Sequence, residues 1–315
     1  MRGRILALLL ASAVFLGACA SMGEKPETRL SAGEHSALIN CTRLYYHVHG
    51  SGPVVIVQPG GPGFSWNYLR MPELEKLMTV VYLEPVGSGQ SERLSDVTSY
   101  SIKRFVKDIE GFRKHLGLEK FYLLGHSHGG MVAQVYALDY PKNLKGLLLA
   151  TTTPVGGKEI MEDIGANLAW FKNESWFAEG IEAFKHVATL RTDDEEKNAY
   201  KKVIGFYVAD YLGKKEKIDE MLNGLTFSVK PFNAYLAEST TFDIRSRLSS
   251  ITAPTLIVAG RKDAIMSVKF SEMIRDKIVG SRMAVMEHSG HLVYMEEPVA
   301  FAKIVGEFLA EIEKK

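Results

Sequence analysis

The sequence predicts an α/β protein: a mainly parallel, twisted sheet flanked by helices and interrupted once by a helical cap. Three observations carry this. Uninterrupted apolar runs, the first of them wholly β-branched, recur at 54–57, 80–83, 121–124, 147–150 and 256–259, with a weaker one at 283–286. Uninterrupted runs of this kind suit strands buried on both faces of a parallel sheet. Helical spacing lies between them: Ile102, Phe105, Ile109, Phe112 and Leu116 fall on one face, and 131–140 and 301–312 read as further helices. The alternation then stops between 154 and 243. That stretch carries Trp170, Phe171, Trp176, Phe177, Phe206, Tyr207, Phe227, Phe232 and Tyr235 with charged clusters but no strand pattern. It is too long for a loop and too apolar for a linker.

The 315 residues, 46% hydrophobic, suffice for one large core carrying an insertion. The expected organisation is a catalytic domain of 33–153 and 244–315 with a cap at 154–243. Lys+Arg 38 against Asp+Glu 37 gives no footprint for nucleic acid.

The N-terminus is a separate object. Arg2 and Arg4 precede an apolar run at 5–16, followed by Leu16-Gly17-Ala18-Cys19. A basic front, a short apolar stretch and small residues describe an export signal rather than a membrane span. Leu-Gly-Ala-Cys resembles a bacterial lipobox, which implies a signal peptide at 1–18 and a lipid anchor on Cys19. Residues 19–32, small and polar, read as a tether. The expected location is therefore the membrane of the periplasm or cell envelope. With Cys19 lipidated, the other cysteine, Cys41, has no partner for a disulfide and is expected to be buried packing.

The sharpest chemical signal is Gly125-His126-Ser127-His128-Gly129-Gly130, directly after the expected strand at 121–124 and before a helix. In that setting Gly-x-Ser-x-Gly is a nucleophile elbow: the serine sits on a strained strand-to-helix turn that lifts its hydroxyl clear of the sheet. A serine hydroxyl needs a base, and the base an orienting carboxylate. The elbow is similar to that of the α/β-hydrolase superfamily, whose chain order is Ser, acid, His. Asp263, just past the strand at 256–259, is the acid; 150–153 offer none, and the nearest alternative is Glu159. His291 of Gly290-His291, ahead of the last helix, is the base in preference to His288. His126 and His128 read as pocket walls, and no third ligand accompanies them for a metal. The loop Gln58-Pro59-Gly60-Gly61-Pro62-Gly63 follows the strand at 54–57, and the main-chain N–H groups of Gly61 and His128 are the expected oxyanion hole.

Together these motifs resemble the prolyl iminopeptidase-like branch of that superfamily, which shows His-Gly-Gly-Pro-Gly, then Asp-x-Arg-Gly-x-Gly-x-Ser, then Gly-x-Ser-x-Gly-Gly. Here Pro59 replaces the histidine, and Glu84 and Val86 replace the aspartate and arginine. The resemblance implies two-step acyl transfer with no metal or organic cofactor, on a short peptide with a small or proline-like first residue. It also implies cap acids that bind the substrate amine, with Glu174, Glu182, Asp210 and Glu238 among the candidates. A carboxylesterase on small esters is the alternative and a carbon–carbon-bond hydrolase a third. A non-catalytic binding lipoprotein would require a broken triad. Serine at 127 excludes the aspartate-dependent epoxide hydrolases and dehalogenases.

Overall fold

A computed structural model describes residues 29–314; Cys19, the signal segment and most of the expected tether lie outside the described residues. The sheet has eight strands: β1 (Gly33–Ile39), β2 (Thr42–Gly50), β3 (Val54–Gln58), β4 (Thr79–Glu84), β5 (Phe121–His126), β6 (Leu144–Ala150), β7 (Thr255–Gly260) and β8 (Arg282–Met286). Their spatial order is β1-β2-β4-β3-β5-β6-β7-β8. β1 and β2 run antiparallel to their neighbours, and β4 through β8 are parallel.

The continuous apolar runs are strands because helices cover both faces. β5 and β7 are buried at every residue. Successive side chains alternate between two cores, since strand side chains point to opposite faces. Ile56, Val81, Leu123 and Ile257 belong to one core with Phe105, Ile109 and Phe112 of the helix Ile102–His115. Val55, Val57, Leu124 and Val258 belong to the other with Phe301, Val305 and Phe308 of the helix Pro298–Ile312.

Parallel pairing places the strand ends in one row. Gln58 lies opposite Gly125, His126 opposite Ala150, Ala150 opposite Val258 and Gly260 opposite Met286. The loops that follow, at 59–63, 127, 151–153, 261–263 and 287–291, therefore emerge along one edge, where ligands bind in open α/β sheets.

Above that edge lie the helices Gly157–Leu168, Phe177–His186, Asp193–Val203, Lys215–Asn223 and Val229–Ser239. The stretch they occupy closes at its root by a bridge between Val155 and Asp243 and a hydrogen bond from Ile244 N–H to the Pro154 carbonyl (3.0 Å). Ile160, Ile164 and Val203 of these helices, with Phe206 in the turn Ile204–Tyr207, share a core with Ile265, Met266 and Phe270, beside Asp263.

Two details differ from the sequence reading. Cys41 is exposed in the β1–β2 turn, at φ 62°, rather than buried. The turn between the paired ends Ile39 and Thr42 has only two residues, and both are exposed. Leu30, in the stretch read as tether, already packs against the core.

Candidate active site

Ser127 stands between β5 and the helix His128–Asp139 at φ 55°, ψ −124°, a conformation that costs a non-glycine residue of order 1–3 kcal/mol. The surroundings hold it there. A Cβ on Gly60 would come within 2.5 Å of the Ser127 Cβ, so the loop after β3 lies directly against the nucleophile turn. A Cβ on Gly125 would meet the Gly129 carbonyl, where the chain doubles back. The Ser127 carbonyl accepts from Gly130 N–H (2.9 Å) and from the Thr152 hydroxyl (2.7 Å).

Asp263 and His291, 28 residues apart, meet with Asp263 Oδ2 2.8 Å from His291 Nδ1. Both are buried. The other carboxylate oxygen of Asp263 accepts from the N–H groups of Ile265 (2.8 Å) and Met266 (2.9 Å), which fixes its plane. With Nδ1 donating to the carboxylate, Nε2 is the basic nitrogen. Nε2 has no hydrogen-bond partner among the described residues, and His291 and Ser127 line the same cavity. Nucleophile–base bonds of this kind are commonly long before substrate binds. The His291 backbone is itself held, its N–H donating to the Tyr207 carbonyl (2.7 Å). Glu296 accepts from Gly290 N–H (2.8 Å) and Ala209 N–H (2.7 Å), joining the base loop to the cap. His288 is exposed, with its N–H directed to Glu297, away from this group.

His128 is the first residue of its helix, where N–H groups lack an intrahelical acceptor. Gly61 stands at φ 50° in the facing loop and lines the same cavity. The side chain of His128 packs edge-on against Phe105 and Tyr235, and burial lowers its pKa to about 3. The loop after β4 supports this arrangement despite its altered residues. Glu84 accepts from Gln90 N–H (2.6 Å) and lies 3.4 Å from His47 Nε2, and Ser88 Oγ accepts from Gly63 N–H (3.2 Å).

The cavity measures about 600 Å³ and is lined mainly by apolar and aromatic side chains, among them Phe64, Tyr200, Ile160, Ile164, Phe232 and Leu236. One carboxylate shares it: Glu196, on the helix Asp193–Val203. It is buried, and neither of its oxygens has a hydrogen-bond partner among the described residues. Desolvation, reinforced by Asp193, raises its pKa to about 8. The acids singled out in the sequence lie elsewhere. Glu174, Glu182 and Asp210 are exposed, and Glu238 is half-buried, accepting from Ile102 N–H (2.9 Å). The helix N-terminus explains the difference: Thr192 and Glu195 form a capping box that turns Glu195 outward. Glu196, four and seven residues before Tyr200 and Val203, falls on the inward stripe.

A family model described as the alpha/beta hydrolase fold matches residues 53–298. The chain belongs to the α/β-hydrolase fold family. Within the family it is 30% identical over 275 residues to a proline iminopeptidase of Heyndrickxia coagulans, covering 84% of this chain and 93% of that one. It is 28% identical over 293 residues to a proline iminopeptidase of Saccharolobus solfataricus, covering 87% and 90%. A proline iminopeptidase structure from Mycobacterium smegmatis superposes with a TM-score of 0.71 at 22% identity, over 89% of this hydrolase and 98% of that chain.

Replacing Ser127 by glycine tests the strain in this elbow. Glycine adopts φ 55° without a Cβ penalty, so Ser127→Gly is expected to raise unfolding stability by about 1 kcal/mol, measured by thermal or denaturant melts. Lower stability, the entropy cost of a glycine with nothing gained against it, would mean that the turn is not strained.

Proposed function

We propose that this protein is a serine hydrolase working by acyl transfer, and specifically an aminopeptidase that removes a small or proline-like first residue from short peptides. In this reading His291 Nε2 takes the Ser127 proton as Oγ attacks the substrate carbonyl. Asp263 holds the imidazole in the required tautomer and stabilises the imidazolium. The N–H groups of Gly61 and His128 bind the oxyanion, His291 protonates the leaving amine, and water releases the acyl-enzyme. The 2.8 Å Asp263–His291 bond beside a serine at φ 55° supports the roles in this chemistry.

Glu196 carries the choice of substrate. An unpaired carboxyl inside an apolar cavity costs stability, and a bound ammonium would supply the partner it lacks. A proline-sized residue occupies a minor part of about 600 Å³, which leaves room for the following residues of a peptide. A second reading, a carboxylesterase, draws on the same wall: with its pKa raised to about 8, Glu196 carries a proton at pH 7 and tolerates an uncharged ester.

Proline p-nitroanilide and p-nitrophenyl butyrate, assayed in parallel, separate these readings. Ser127→Ala is expected to abolish both activities. Glu196→Gln is expected to cut kcat/KM for the anilide roughly 10–100-fold, the loss of a charge-assisted bond, and to leave the ester within a few fold. In the wild type, kcat/KM for the anilide rises from pH 6 toward pH 8 as Glu196 ionises. Equal losses on both substrates would refute the amine role, and turnover surviving Ser127→Ala would refute the mechanism.

We further propose that the protein is an exported lipoprotein anchored to the bacterial envelope through Cys19. The support is the sequence itself: Arg2 and Arg4, the apolar run 5–16 and Leu16-Gly17-Ala18-Cys19. Radiolabelled palmitate fed to an expressing bacterium should label the wild type and not Cys19→Ala. An unlabelled wild type would contradict the anchor.

A further inference from the structure

We propose that His126, the residue before Ser127, is a positioning residue that ties the oxyanion loop to the base loop, through Tyr68 on one side and the His291 carbonyl on the other. The role rests on the reading of Ser127 and His291 given above.

His126 Nε2 lies 3.1 Å from the carbonyl oxygen of His291. A carbonyl only accepts, so Nε2 carries the ring hydrogen. His126 is fully buried, and desolvation, reinforced by the neighbouring His291, holds its pKa well below the usual range. The ring is therefore neutral and Nδ1 has no hydrogen. Tyr68 Oη, 3.3 Å from Nδ1, must then be the donor. Tyr68 stands in the short turn Trp66–Leu69 just past the loop 59–63, and a Cβ on Gly60 would lie 3.2 Å from His126 Nδ1, so this bond sits against the oxyanion loop. One directional chain results: Tyr68 O–H to His126 Nδ1, then His126 Nε2–H to the carbonyl of His291.

Its two ends are the working parts of the site. At one end Tyr68 lies just past the loop that carries Gly61. At the other end the carbonyl belongs to the general base itself. That carbonyl is gripped a second time, by the Thr151 hydroxyl at 2.9 Å. Thr151 holds φ 44°, which strains a β-branched residue, and Thr151 N–H donates to the Val258 carbonyl (2.8 Å) in the adjacent strand. The ends of β5 and β6 thus hold one backbone oxygen with two donors. Because His126 adjoins Ser127, one short turn fixes nucleophile, base and oxyanion loop relative to one another, where errors of a fraction of an ångström slow acyl transfer.

The test is the second-order rate at which an alkyl fluorophosphonate labels Ser127 of the full chain, followed by intact mass, with thermal melts in parallel. Gln at position 126 keeps an amide donor for the His291 carbonyl but offers no acceptor at the Nδ1 position. His126→Gln and Tyr68→Phe therefore cut the same link. Each is expected to slow labelling roughly tenfold with an unchanged melting temperature. The double variant should be no slower than the slower single, because the two changes share one interaction. Rates within twofold of wild type, or losses that multiply in the double variant, would overturn the proposal while leaving the hydrolase reading intact. A wild type that is not labelled at Ser127 would overturn the hydrolase reading, and this role with it. If His126→Gln fails to fold, Tyr68→Phe decides alone: a tenfold loss at unchanged melting temperature supports the chain, and a rate within twofold of wild type refutes it.

Discussion

Ser127 is held in a left-handed backbone conformation at the junction of β5 and the helix His128–Asp139, and the rest of the site is arranged around that turn. Its cost is met by the close approach of neighbouring segments. Gly60 lies where a Cβ would strike the serine, and Thr152 and Gly130 both bind the Ser127 carbonyl. The turn aims the hydroxyl away from the sheet and starts a helix beneath it. The first N–H groups of that helix then face the point where an oxyanion would develop.

The sheet supplies the precision. Parallel strands in register end together, so residues separated by more than a hundred positions arrive at one edge. His126 at the end of β5 and Thr151 just past β6 reach the carbonyl of His291, which follows β8. Asp263, past β7, reaches the ring of the same histidine. The base is thus held by its ring nitrogen, its carbonyl and its N–H, the last by Tyr207 of the cap. The cap and the loop 287–291 are further joined through Glu296, which accepts from Ala209 N–H and Gly290 N–H.

Much of this was legible in the sequence because it depends on local chemistry. Buried strands write themselves as apolar runs, and the elbow needs glycines at fixed offsets from Ser127. Asp263 and His291 each follow a strand in the order the superfamily uses. Contacts between distant segments were not legible. Nothing in the neighbourhood of Tyr68 announces its bond to His126, 58 positions away. Thr151 carried no charge to attract notice. Glu196 was hidden in a run of acids, and only the capping box at Thr192 decides which of them turns inward. Cys41 looked like core by residue type alone, whereas a two-residue hairpin turn exposes whatever it contains.

The central claim is that Ser127 carries the acyl group between the two halves of the reaction. Acid-quenching the enzyme during steady-state turnover of p-nitrophenyl butyrate, followed by peptide mapping, tests it directly. One butyryl group is expected on the peptide containing Ser127, and none in a substrate-free control. Product release with no acyl adduct, or an adduct on another residue, would contradict it.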